Sequence, residues 1–147
     1  MTVEQQTAMT GAETDALLER HETGVLALAR DDEPYAVPIS YGYDPDSRRF
    51  CMRLVSTPDG EKHRFLTETP KVRFVVYEEG ETTYRSVVAT GRLEALSQAD
   101  LTPAHVERFG TAQRPLFEMW DETKEELDIQ LYELAPDELS GRRIDVE

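Results

Sequence analysis

The chain has 147 residues, of which 30 are acidic and 16 basic, giving a formal net charge of −14 and a pI near 4.6. That balance argues against nucleic acid and anionic membranes as partners, because phosphate groups are bound by net basic faces. The single cysteine, Cys51, excludes an internal disulfide framework, and no apolar run approaches the length of a membrane span.

The length suits one domain over residues 1–147, large enough to bury a core without covalent staples. Its opening MTVEQQTAMTGAETD lacks the basic start and apolar run of a signal peptide, so a cytoplasmic location is expected, with Cys51 of RFCMRLV a buried thiol in a reducing compartment. Acid is spread along the chain, in DDE at 31–33, EE at 78–79 and ETKEE at 122–126, whereas the only lysines are Lys62, Lys71 and Lys124. This surface resembles those of salt-accumulating halophiles, where molar salt screens self-repulsion that would otherwise destabilise the compact state.

Along the chain, Thr10-Gly11-Ala12-Glu13 has capping-box spacing and predicts a helix over 11–22, with Gly24 as its terminator. Five β-rich runs follow at 25–30, 35–43, 49–55, 71–78 and 84–96, separated by the turn clusters DDEP, DPDS and EEGET at hairpin-length spacing. Between the third and fourth runs, Lys62, Phe65 and Leu66 recur at helical spacing over Gly60–Thr69, and Pro70 stops the segment. QADLTPAHVERFG predicts a helix ended by Gly110, and RPLFEMWDETKEE a second helical or irregular segment. LDIQLYELAPDELSGRR alternates as a last strand with a Pro-Asp interruption. Six antiparallel strands with a few peripheral helices predict a mainly β fold, a small closed or partly closed barrel, with a two-sheet sandwich as the alternative.

The chain carries little local catalytic grammar. His21, His63 and His105 are too far apart for a local metal motif, so no metal site is expected, and neither a nucleophile elbow nor a phosphate-binding P-loop is present. One stretch concentrates positive charge: RFCMRLVSTPDGEKHRF, residues 49–65, where a strand passes through Pro-Asp-Gly into a predicted helix. A helix N-terminus offers unpaired N–H groups and a partial positive charge, so Gly60-Glu61-Lys62-His63 suits an anion such as a phosphate monoester, unless Lys62 and Arg64 only decorate a solvated turn.

In order, GVLALARDDEPYAVPISYGYD, RRFCMRLVSTPDGEKHRFLTETPKVRFVV and YRSVVATGRLEAL resemble the FMN-binding split-barrel family, the pyridoxamine 5'-phosphate oxidase-like proteins, and more closely their nitroimidazole-resistance-type branch. The resemblance covers about residues 10–97, with a weaker echo in ELSGRR. It implies a six-stranded Greek-key split barrel, a homodimer, and FMN in two grooves between the subunits. It places Lys62 on the FMN phosphate with His63 beside it, Val37, Pro38, Ile39 and Ser40 along the isoalloxazine ring, and Leu54, Val55 and Ser56 beside the ring and ribityl chain. Ser86 matches a polar position that reaches the flavin or its phosphate, with Arg85 as its neighbour. The chain departs from the nitroimidazole-resistance pattern at Arg53-Leu54-Val55-Ser56, where that branch often has a His. It also departs from true pyridoxamine phosphate oxidases in ending GRRIDVE. The resemblance thus implies a flavin-dependent oxidoreductase acting on a small molecule with a nicotinamide donor. The alternatives are a non-catalytic flavin store or sensor, or a haem- or deazaflavin-binding barrel. No catalytic acid or base is identified.

Overall fold

The computed structural model describes residues 5–56, 70–96 and 128–145, and within them the alternation of apolar and polar side chains becomes seven strands and one helix. Strand β1 is Gln5–Ala8, followed by helix α1, Gly11–Arg20. The hydroxyl of Thr10 accepts from the Glu13 N–H at 3.1 Å, and the Glu13 carboxylate accepts from the Thr10 N–H at 3.4 Å, so the predicted capping box is present. Thr14, Leu17 and Leu18 share one buried face, which drives α1 onto the sheet.

The helix ends at Arg20 because His21 is already extended, and Gly24 is not its terminator. Gly24 lies inside β2, Thr23–Arg30, where a Cβ would meet Phe74 Cζ at 2.5 Å and the Val75 carbonyl oxygen at 2.8 Å. Its role is close approach between strands. The turn to β3, Glu33–Asp44, is two residues long, and Asp31 takes φ 56° there, a left-handed conformation that Asp tolerates better than most residues. Asp44 anchors the next turn by accepting from Asp46 N–H at 3.1 Å and Ser47 Oγ at 2.9 Å before β4, Arg49–Ser56.

Strands β5, Lys71–Glu79, and β6, Thr83–Leu96, form a hairpin, and β7, Asp128–Asp145, pairs with β6 along almost its whole length. All pairings are antiparallel. The sheet order is β1-β7-β4-β3-β2-β5-β6, and the additional β6–β7 pairing joins six strands in a ring with β1 attached beside β7. The expected six-stranded Greek-key barrel with a few helices is thereby corrected to a seven-stranded sheet, six of whose strands close the ring, and α1 is the one helix among the described residues. The extra strand exists because β7 is 18 residues long: its first half pairs with β4, leaving its last residues free to take β1. The polar QQTA gave no periodicity to announce this. The helices predicted over Gly60–Thr69 and after Leu96 lie outside the described residues.

The Pro-Asp interruption of the last strand is a bulge. Thr90 faces Glu138 and Gly91 faces Pro136, leaving Asp137 unopposed where proline has no N–H to offer. Inside, Tyr41, Tyr43, Phe50 and Phe74 meet edge-on or tilted at ring-centre distances of 4.9–5.7 Å, with Leu17 and Leu18 packed in the same core. The Tyr41 hydroxyl donates to the Leu18 carbonyl at 2.7 Å, and burial, followed by the nearby Glu22 charge, pushes its ionisation well above the ordinary tyrosine range.

Candidate functional site

Strand register decides which side chains share a surface. Pro38, Val25, Val75 and Val88 stand side by side across β3, β2, β5 and β6, a half-buried apolar row on the face opposite the core. Closer to the end of β5, Tyr77, Ser86 and Arg142 form a second row, and Glu79, Tyr84 and Ile144 a third. Tyr77 is 59% exposed and Tyr84 39%, the large apolar side chains most open to solvent among the described residues. Exposed aromatics beside an apolar strip are what a planar ligand needs for stacking.

Two cavities meet there. The larger, about 500 Å³, is bounded by Thr23, Gly24 and Val25 of β2, Pro38 of β3, and Tyr77, Glu78 and Glu79 of β5. The smaller, about 170 Å³, shares those three β5 residues and adds Tyr84, Arg85, Ser86, Arg142 and Ile144. Tyr77 is thus a common wall.

Glu78 gathers cations from two elements. Its Oε2 accepts from Arg20 Nε at 3.0 Å and lies 2.7 Å from His21 Nε2, both at the end of α1, while Oε1 accepts from Arg85 at 3.2 Å. The Arg20 hydrogen bond, then those from His21 and their charges, outweigh partial burial and lower the Glu78 carboxyl from 4.5 to about 2. At neutral pH this carboxylate is a fixed anion that anchors the helix beside the cavities. It has no proton to give.

The structure distributes the residues expected from the sequence unevenly. Pro38 borders the larger cavity and Arg85 and Ser86 the smaller, so these three come together around β5. Ile39 and Leu54 point into the core at 1% exposure, Ser40 is buried, and Val37 packs partly against the core. Val55 and Ser56 end β4 opposite Ile129 and Asp128. Lys62 and His63 lie outside the described residues. Sequence reasoning missed Tyr77, Glu78 and Arg142. Tyr77 had a weak signal, an aromatic on the polar side of an otherwise alternating strand. Glu78 had none, since adjacent acids are commonplace in this composition. Among the described residues no group of His, Cys, Asp or Glu is arranged to hold a metal ion, and no helix is long and apolar enough to cross a membrane.

Residues 10–143 match the pyridoxamine 5'-phosphate oxidase family. The chain belongs to that family. An uncharacterized protein of Rhizobium meliloti is 32% identical over 89 residues, a stretch that spans 60% of this chain and 56% of that relative's length. Among family-like folds, the chain is similar to a FAD-binding protein from Mesorhizobium loti, with 26% identity, a TM-score of 0.70, and coverage of 97% of this chain and 99% of that one. A FAD-binding protein from Mycobacterium smegmatis shares the fold at 18% identity, with a TM-score of 0.66 and coverage of 96% and 100%.

Proposed function

We propose that this member of the pyridoxamine 5'-phosphate oxidase family binds a flavin nucleotide, with the ring in the larger cavity against Tyr77 and the Pro38–Val25–Val75 strip. The observation that carries the reading is that cavity: about 500 Å³, walled by the exposed Tyr77, by Val25 and Pro38, and by Thr23, Glu78 and Glu79 at its polar side, with Pro38 a position that the sequence resemblance places on the flavin ring. The residues fit the group. A flavin ring is flat and largely apolar, and its polar edge can be met by strand backbone and by the Thr23 hydroxyl at the cavity wall. FMN is the expected form, and the FAD-binding relative from Mesorhizobium loti keeps the dinucleotide as its competitor.

When bound, the flavin supplies two-electron redox chemistry that no side chain here offers. The chain's residues would orient it: Tyr77 through its ring face, and Glu78 by holding α1 and Arg85 in place. Lys62 and His63 would hold the phosphate, where a charge-assisted hydrogen bond contributes about 1.5 to 3 kcal/mol. The activity that follows is a flavin-dependent oxidoreductase with a small substrate and a nicotinamide donor, working as a cytoplasmic homodimer whose grooves use both subunits. A store or sensor is the second reading, favoured by Glu78, a carboxylate beside both cavities that its arginine partners fix as an anion.

Titration of the full chain with FMN and riboflavin, followed by flavin fluorescence, tests the reading. Lys62→Ala is expected to weaken FMN about ten- to a hundredfold, the equivalent of that hydrogen bond, and to leave riboflavin nearly unchanged. Equal losses for both ligands would remove Lys62 from the phosphate. NADH-dependent bleaching of the bound flavin then separates an oxidoreductase from a store.

A further inference from the structure

We propose that the smaller cavity is an adenylate subsite, in which Arg142 and Ser86 take a phosphate and the exposed Tyr84 offers its ring to a purine. The inference rests on the flavin reading for what lies on the far side of Tyr77. Its own support comes from the arginines. Acidic residues outnumber basic ones 30 to 16, so a described arginine has abundant partners to choose from. At this end of the sheet Arg20 and Arg85 are committed to Glu78, and Arg143 to Glu13 and Asp145. Arg142 alone of these has no carboxylate partner among the described residues, yet it lines a cavity directly across from Ser86.

Register explains why it is available. Arg142 projects on the outer face with Tyr77 and Ser86, while Glu78, Arg85 and Arg143 project on the other, where α1 brings Glu13 within 3.1 Å of Arg143. A guanidinium held beside a hydroxyl is a phosphate donor set. At about 170 Å³ the cavity is too small for a whole dinucleotide and roomier than one oxyanion requires, and its remaining walls include two exposed tyrosines, which stack on bases irrespective of sequence. Glu79 is the one opposing charge on the rim, since Glu78 is already neutralised by its cations.

Adenylate reaches such a site from two sources: the adenylate half of a flavin dinucleotide whose ring lies across Tyr77, or that of a nicotinamide dinucleotide arriving as reductant. Adenosine 5'-monophosphate, FMN, FAD and NADH titrated into the full chain and its Arg142→Ala and Arg142→Lys variants separate them. Arg142→Ala is expected to weaken adenosine monophosphate about tenfold, the loss of one charge-assisted hydrogen bond, with FMN changed by less than about twofold and partial recovery in Arg142→Lys. A matching loss for FAD identifies the flavin's own adenylate, and a matching loss for NADH identifies the reductant. Absence of adenosine monophosphate binding, or binding indifferent to Arg142 in variants that melt as the parent does, overturns the subsite. Loss of the flavin reading looks different: FMN fails to bind while adenosine monophosphate still senses Arg142.

Discussion

Glu78 shows how much a single residue's role depends on its neighbours in space. In the sequence it is the first of two adjacent acids before a turn. In the fold it joins α1, β5 and β6 through Arg20, His21 and Arg85. Its carboxyl is depressed from 4.5 to about 2, so the unfolded chain takes up the proton first as the pH falls. The stabilisation is therefore fully present above about 4.5 and lost as the pH falls through about 2. Glu78→Gln is expected to cost about 1 kcal/mol at neutral pH, a modest figure because Arg20 is 45% exposed and solvent screens the pairs. Urea unfolding of both proteins from pH 7 to pH 2.5 checks this. The difference should be flat above pH 5 and shrink below it, and a gap that persists to the acid end would assign Glu78 a role other than its charge.

Among the elements, α1 was the most legible and β1 the least. The capping box could be read because it is local: Thr10 and Glu13 are three residues apart and need no tertiary partner. Thr10→Ala leaves the N–H of Glu13 without its acceptor and is expected to destabilise the protein by about 1 kcal/mol, measured as a lower urea midpoint at unchanged slope. Stability equal to that of the parent would mean that Leu17 and Leu18 hold the helix by packing alone. The strands were visible because buried residues alternate, as in Val72, Phe74 and Val76 of β5. Gly24 was misjudged as a helix stop because glycine marks both turns and close approaches, and only the position of Phe74 distinguishes them. Strand β1 went unseen because an outer strand of polar residues carries no apolar period, its pairing being dictated by the free flank of β7.

For the whole molecule the governing quantity is charge. A net −14 on one small chain opposes compaction through self-repulsion, and at 1 M salt the screening length falls to about 3 Å. Thermal stability is therefore expected to rise steeply from low to molar KCl. A melting temperature that stays level across that range would show that the acids are spaced widely enough to ignore one another, and with it the likeness to halophilic surfaces would fail.

By itself the sequence determined the charge, the mainly β character, the capped first helix, the bulge-prone Pro-Asp of the last strand and a family likeness carried by ordered local motifs. These are properties of neighbours along the chain, set by side-chain period, turn chemistry and composition. Tertiary structure alone decided that β6 and β7 pair to complete the ring, that β1 joins it, and that Tyr77, Ser86 and Arg142 fall in one row while Glu78, Arg85 and Arg143 fall on the reverse. The reason is register: in a strand each step turns a side chain to the opposite face, so which residues share a site depends on how strands distant in sequence align.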